Sequence, residues 1–314
     1  MRTTSFAGLA MGRIGLGCMG MSWAYDPATR DDARSVQVIH RALDLGVTLI
    51  DTSDVYGPFT NEELVGEALR GRRDSAILAT KVGLRIDDAG LMYRDGRPEH
   101  IREGIDASLR RLGIDHVDLY QLHRVDEKVP IEESWDAMAE VVAAGKARAI
   151  GLSEVSVEEI RRAQAVHPVA SVQSELSLWT RDALPEVLPY LREQGIGFLP
   201  FSPLGRGFLT GRFTAVDDLP ADDFRRNNPR FAAAAITANQ RLVAVIGEIA
   251  AKHGATPGQI ALAWVLAQGD LVVPIPGTTR VENLEANAAA DGVQLTADDL
   301  AVLDGLPTPT GTRY

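Results

Sequence analysis

The sequence predicts a single (β/α)8 TIM barrel, and three observations carry that prediction. About eight short apolar runs alternate with amphipathic stretches at helical spacing along the whole chain. No low-complexity linker or shift of composition divides it, and 314 residues is a length that barrels commonly use as one domain, here residues 1–314. Three successive apolar runs end in a titratable side chain, Asp51, Lys81 and His123, as residues gathered at one rim of a parallel barrel would.

The elements follow in order. Arg13 to Gly17 is the first strand-like run, and the next are Gly46 to Asp51, Ala76 to Lys81, Val117 to His123, Ala147 to Ser153, Val169 to Gln173, Ile196 to Ser202 and Leu271 to Pro276. Between them, helical periodicity runs over Ala33 to Leu45, Asn61 to Leu69, Glu99 to Leu112, Ile131 to Ala144, Val157 to Val166 and Leu184 to Gln194. Gly46, Gly71, Gly113, Gly145 and Gly195 each follow a periodic stretch, where a left-handed helix cap costs glycine little. Pro203 to Arg230 is irregular, and loops of that length in a domain are usually functional or mobile. Extra helices then occupy Ala232 to His253 and Pro257 to Gln268, the second opened by the Thr256-Pro257 pair, and Thr296 to Leu306 closes the chain.

An open doubly wound sheet is the rival fold. Gly15, Gly17 and Gly20 have the spacing of a dinucleotide fingerprint, but Met21 to Tyr25 and Pro27 follow instead of a helix, so the context that the motif requires is missing.

The formal charge of −11 argues against a general grip on nucleic acid or an anionic membrane. A single cysteine, Cys18, excludes an intrachain disulfide and a cysteine-based zinc site. The first residues lack the apolar core of a signal peptide, and no apolar run approaches a membrane span. A soluble cytoplasmic protein is expected.

Asp51, Tyr56, Lys81 and His123 make a proton-transfer centre. Tyr56 is the general acid, Lys81 stabilises its developing phenolate, Asp51 neutralises the ammonium, and His123 orients and polarises a carbonyl oxygen; no metal is needed. Singly, each has a structural reading as cap, snorkelling cation or core histidine. Their shared strand-end placement favours chemistry.

These residues sit in segments that resemble the aldo-keto reductase superfamily over nearly the whole chain: Asp51 to Gly57, Thr80-Lys81, Leu119 to His123, Gly151 to Ser153 and Pro274 to Thr278. Ser153-Glu154, Gln173 to Trp179 and Phe201 to Gly211 are similar to the bacterial, plant and yeast oxidoreductases grouped with pyridoxal reductases and auxin-induced proteins. The resemblance implies a short N-terminal β-hairpin cap, and NADPH/NADP+ extended across the strand-end face, giving up its pro-R hydride to a small-molecule carbonyl substrate. By the same resemblance Met19, Gly20 and Met21 line the cofactor, Ser153 and Gln173 hold the nicotinamide carboxamide with Glu154 beside the nicotinamide, and Phe201 stacks on its ring. Ser202, Leu204, Gly205 and Gly207 wrap the pyrophosphate, while Gly277, Thr278, Thr279, Arg280, Asn283 and Asn287 hold the adenosine end. Arg280 is the expected partner of the 2′-phosphate, since guanidinium matches phosphate in a forked geometry. Two departures stand out: Glu154 replaces a common asparagine, and Ala286 a common glutamate near adenine.

Trp23, Tyr25 and Tyr93, with Trp179, are expected to wall a carbonyl substrate, and the short stretch after Leu306 predicts little cover for the pocket. Two other readings remain at this point: a nicotinamide-binding regulatory subunit resembling potassium-channel β-subunits, and a lyase or isomerase using Lys81 as a Schiff base. The second leaves Tyr56 and the Arg280 segment without a task.

Overall fold

A computed structural model describes residues 1–25 and 27–313, and strand and helix alternate through it in the predicted order. An antiparallel hairpin, β1 (Thr3–Phe6) and β2 (Leu9–Gly12), precedes β3 (Leu16–Gly17), α1 (Asp32–Asp44), β4 (Leu49–Asp51), α2 (Thr60–Leu69) and β5 (Ile77–Val82). A second hairpin, β6 (Leu84–Ile86) and β7 (Met92–Arg94), leads to α3 (Pro98–Leu112), β8 (Val117–Leu122), α4 (Ile131–Ala143) and β9 (Ala147–Ser153). Then come α5 (Val157–Gln164), β10 (Ser171–Gln173), α6 (Val187–Gln194) and β11 (Gly197–Phe198), followed by α7 (Ala233–His253), α8 (Pro257–Ala267), α9 (Val281–Ala289) and α10 (Ala297–Asp304).

Seven strands form one parallel sheet in chain order, β3-β4-β5-β8-β9-β10-β11. The expected eighth stave, Leu271 to Pro276, is present without a continuous ladder. Phe198 and Ile275 donate to the carbonyls of Leu271 and Pro200, and Val273 donates back to Phe198. On its other side Gly15 and Gly17 donate to the carbonyls of Pro274 and Pro276. Both prolines can only accept, which leaves the closure as the isolated bridges Phe198–Val272 and Gly17–Gly277. The barrel is nonetheless closed.

Side chains alternate along each strand, so one set points into the barrel and the other toward the helices. Leu49, Ala79, Leu119, Ala149, Leu199 and Val273 fill the interior together with Phe6, Leu9 and Met11 of the first hairpin. That hairpin plugs the amino end of the barrel, where a Cβ on Gly197 would lie 2.6 Å from the Phe6 ring. The outward set, including Leu78, Tyr120, Ile150 and Val172, packs under the helices around Trp135 and Trp264.

All five predicted cap glycines have positive φ, and Thr256 forms a reciprocal capping box with Gln259. α6 begins at Val187 and not at Leu184, because Pro185 disfavours helical backbone in the residue before it. β6 and β7 have no counterpart in the sequence reading, and α9 begins directly after Arg280, its N-cap residue. The irregular stretch from Pro203 to Arg230 is built from short 3-10 turns, Gly205–Thr210, Val216–Asp218, Phe224–Asn227 and Pro229–Phe231. Among the described residues no helix is long and apolar enough to cross a membrane.

Candidate active site

The alternation that fills the barrel interior also builds the site. Two residues beyond Leu49, Ala79 and Leu119, the inward positions become Asp51, Lys81 and Gln121, at the carboxyl ends of β4, β5 and β8. Lys81 pairs in register with Gln121, and Gln173 of β10 with Ser153 of β9. An apolar plug is thus capped by a polar layer, and His123 joins it just after β8.

Lys81 is fully buried and holds the centre together. Its ammonium donates to Asp51 Oδ1 at 2.6 Å, to the Thr52 carbonyl at 2.7 Å and to the Tyr56 hydroxyl at 3.2 Å. The other Asp51 oxygen accepts from Gln173 at 2.8 Å and from Gln121 at 3.3 Å. The His123 ring meets Tyr56 edge to face, with centroids 5.9 Å apart. All four predicted tetrad residues are therefore together.

Burial penalises the Lys81 charge, but Asp51 and Tyr56 outweigh it and leave the ammonium above its ordinary range. Burial holds the Tyr56 phenol above its usual value against the pull of Lys81, so the phenol keeps its proton at neutrality. Burial, then Lys81 and Arg124, push His123 well below the usual histidine range, so the ring is neutral. Beside Asp51 the centre holds an ammonium, a protonated phenol and a neutral imidazole.

The first loop is tied down by Asn61, which donates to the Cys18 carbonyl at 2.9 Å and to Ser22 Oγ at 2.7 Å. Met19 and Trp23 pack against Val55, Tyr56 and Leu84, whereas Met21 turns its side chain into the main core, leaving only backbone for a ligand. Gly20 lies within the same turn. Ser153 accepts from Arg124 at 3.0 Å, and Arg124 also donates to the His123 carbonyl at 2.6 Å.

Phe201 is half-buried after β11. Beyond it the backbone turns sharply, with positive φ at Ser202, Gly205, Arg206 and Gly207. At Gly205 a Cβ would also lie 2.5 Å from the Trp179 ring, so two constraints select glycine there. Leu204 is half-buried on this turn. Gly277, Thr278 and Thr279 lead into α9, with the Arg280 amide donating to Thr278 Oγ1 at 3.1 Å. The Arg280 and Asn283 side chains are exposed, while Asn287, four residues further along α9, is buried.

The aromatic side chains expected around a carbonyl substrate lie in different surroundings. Trp179 is no part of an open wall: it is 2% exposed and stacked on Phe208 at 4.4 Å. Of the other aromatic side chains, Trp23 reaches the centre, 5.8 Å from the Tyr56 ring. Tyr25 instead packs on Phe224 and Arg225 of the long loop, and Tyr93 is an exposed residue of β7 beneath Arg85.

Glu154 has both carboxylate oxygens engaged, one by the Glu175 amide at 3.0 Å and the other by Arg313 at 2.6 Å. The segment after Leu306 does cover this face. Arg313 also binds the buried Glu175 at 2.7 Å and lies 5.6 Å over the Phe201 ring. Gln121 and Glu175 fall within the Leu119 to His123 and Gln173 to Trp179 segments but were given no role from sequence, and Arg124 and Arg313 carried no local signal.

Among the described residues no group of three or more His, Cys, Asp and Glu side chains is arranged to hold a metal. The family model for the aldo/keto reductase family matches residues 13–307. A relative from Glycine max, named as a probable aldo-keto reductase, is 45% identical over 312 residues, covering 98% of this chain and 89% of its own length. A glycerol dehydrogenase structure from Gluconobacter oxydans superposes with a TM-score of 0.87 at 33% identity, covering 96% of this chain and 94% of that one. An aldo/keto reductase structure from Klebsiella pneumoniae, in complex with NADP and acetate, gives 0.76 at 27% identity, covering 99% and 97%.

Proposed function

Because the chain belongs to the aldo/keto reductase family, we propose that it is an NADPH-dependent reductase of aldehydes or ketones in which Tyr56 supplies the proton. The observation that carries this reading is Lys81 Nζ placed between Asp51 and the Tyr56 hydroxyl, at 2.6 and 3.2 Å. The phenol is protonated before reaction, and the buried ammonium stabilises the phenolate left behind. Asp51 favours the charged form of Lys81 in a site where burial opposes it.

The residues present fit NADP(H), the cofactor of this family. Arg280 exposes a guanidinium suited to a 2′-phosphate, and Phe201 offers a half-buried ring beside the polar ends of β9 and β10. When bound, the cofactor supplies the hydride. Ser153 orients the carboxamide; Gln173, whose amide nitrogen is held by Asp51, has its carbonyl oxygen left to do the same. Ser202 and the Gly205 to Gly207 turn receive the pyrophosphate, and Trp23 limits the pocket beside Tyr56.

Fluorescence titration with NADPH and NADH, followed by NADPH oxidation with a panel of aldehydes and ketones, tests the proposal. Tight NADPH binding with turnover is the expected result. Binding without turnover across the panel favours the regulatory reading, and no binding overturns the proposal.

A further inference from the structure

Asp54 is a buried carboxyl group two residues before Tyr56, and the chemistry above gives it no task. Ser53 connects it to the tetrad. The Ser53 hydroxyl lies 3.1 Å from Asp54 Oδ1 and 3.2 Å from His123 Nδ1, with all three residues buried.

A serine hydroxyl has one proton to give. When Asp54 is ionised it can only accept, so the Ser53 proton goes to Oδ1 and the hydroxyl oxygen must accept from the ring. His123 then carries its proton on Nδ1 and leaves a lone pair on Nε2. When Asp54 is protonated, its O–H donates to Ser53, the Ser53 proton turns to Nδ1, and the ring proton resides on Nε2. Because Ser53 occupies Nδ1, Nε2 is the nitrogen left to the reacting oxygen. With a proton it donates to a carbonyl oxygen, and without one it accepts from an alcohol.

We propose that Asp54, acting through Ser53, sets the tautomer of His123 and so decides whether the imidazole favours carbonyl reduction or alcohol oxidation. Asp54 and Ser53 are positioning residues. The catalytic consequence rests on the reductase reading; the tautomer switch does not.

Burial and, second, the charged surroundings place the switch near neutrality. On the same loop are Ser53, the Val55 amide and Tyr56; α2 contributes Glu62, which pairs with Arg111 of α3 at 2.6 Å; β8 contributes Tyr120 and leads to His123 and Arg124; β5 contributes Lys81. Burial first, then the Glu62 charge, hold the Asp54 carboxyl up at about 7 against Ser53, Val55 and Arg111. Burial raises both Tyr56 and Tyr120 above the ordinary phenol value, and His123 is depressed, so a transition near neutrality belongs to Asp54.

The test is proton-detected nitrogen NMR of the His123 ring in histidine-labelled protein across neutrality, assigned with His123→Asn. The ring proton is expected to move from Nε2 to Nδ1 as pH rises through the transition, and to stop moving in Asp54→Asn and in Ser53→Ala. In parallel, kcat for carbonyl reduction should be level below the transition and fall about tenfold per pH unit above it, while that for alcohol oxidation should rise up to the transition and level off above it. Both profiles should be flat there in Asp54→Asn. A single tautomer throughout in the wild type, or a transition surviving both substitutions, overturns the inference. A switching ring without NADPH turnover leaves the inference standing and removes the reductase reading; turnover with a fixed tautomer does the reverse.

Discussion

Lys81 approaches the Tyr56 hydroxyl at 3.2 Å from a position with no exposed surface, held there by its pair with Asp51. The pair is worth little as net stability, because both charges are taken out of water. Its value is in placing a cation where phenolate charge develops.

Removing one partner should therefore be costly in two ways. Lys81→Met leaves Asp51 buried and unpaired, and urea unfolding is expected to show a loss of about 3–5 kcal/mol. The double variant Asp51→Asn/Lys81→Met should recover much of that stability. Neither variant should reduce carbonyls at more than a hundredth or so of the wild-type rate, in keeping with loss of a general-acid system. Full stability in Lys81→Met would mean that Asp51 is not held as a charge.

Arg280→Ala should weaken NADPH binding by roughly tenfold to a hundredfold, the range for hydrogen bonds to charged groups, and leave NADH binding nearly unchanged. Its side chain is exposed and reaches no ion-pair partner among the described residues, so the fold itself should be indifferent. Parallel titrations decide it. Equal losses for the two cofactors would place the 2′-phosphate elsewhere.

Arg313→Ala should loosen residues 311–313 on the strand-end face, while Thr310 stays held by Asn239 at 2.8 and 3.0 Å. Arg206 and Arg230 remain near Glu175, at 4.0 and 3.9 Å, so the stability loss should be modest, about 1 kcal/mol. Hydrogen exchange should show the segment losing protection while the barrel strands keep theirs. Unchanged protection would mean that the clasp to Glu154 and Glu175 does not hold it.

Asp54 gives the fold a pH dependence of defined sign. Its folded pKa is raised from 3.8 to about 7, so the folded state binds the proton more tightly than the unfolded chain. The stability that this contributes is full below the unfolded value and is lost as pH rises through about 7. Wild type minus Asp54→Asn unfolding free energies should therefore become less favourable to the wild type across that window. A difference that grows in the opposite direction would contradict a raised pKa.

Much of this site was legible because local patterns encode it. Asp51, Lys81 and His123 end apolar runs, Tyr56 follows Asp51 closely, and cap glycines mark the helices between. The strand-end position is a local property that a barrel converts into proximity. What escaped the sequence depends on side chains meeting across the fold: Arg313 and Glu154 are 159 residues apart, and Ser53 and His123 are 70 apart. Neither distance leaves a periodic trace. Trp179 misled for a related reason, since an aromatic residue after a strand serves a pocket or a core equally well, and the Phe208 and Phe231 rings that claim it come from the long irregular loop. The eighth stave was readable as an apolar run, yet its two prolines prevent it from forming a regular strand.

The central claim is that Tyr56 gives up the proton, and single-turnover carbonyl reduction by Tyr56→Phe tests it most directly. Phenylalanine keeps the ring and removes only the hydroxyl, so NADPH binding should be retained while the reduction rate falls by about a hundredfold to ten-thousandfold. Reduction at the wild-type rate in that variant would contradict the account.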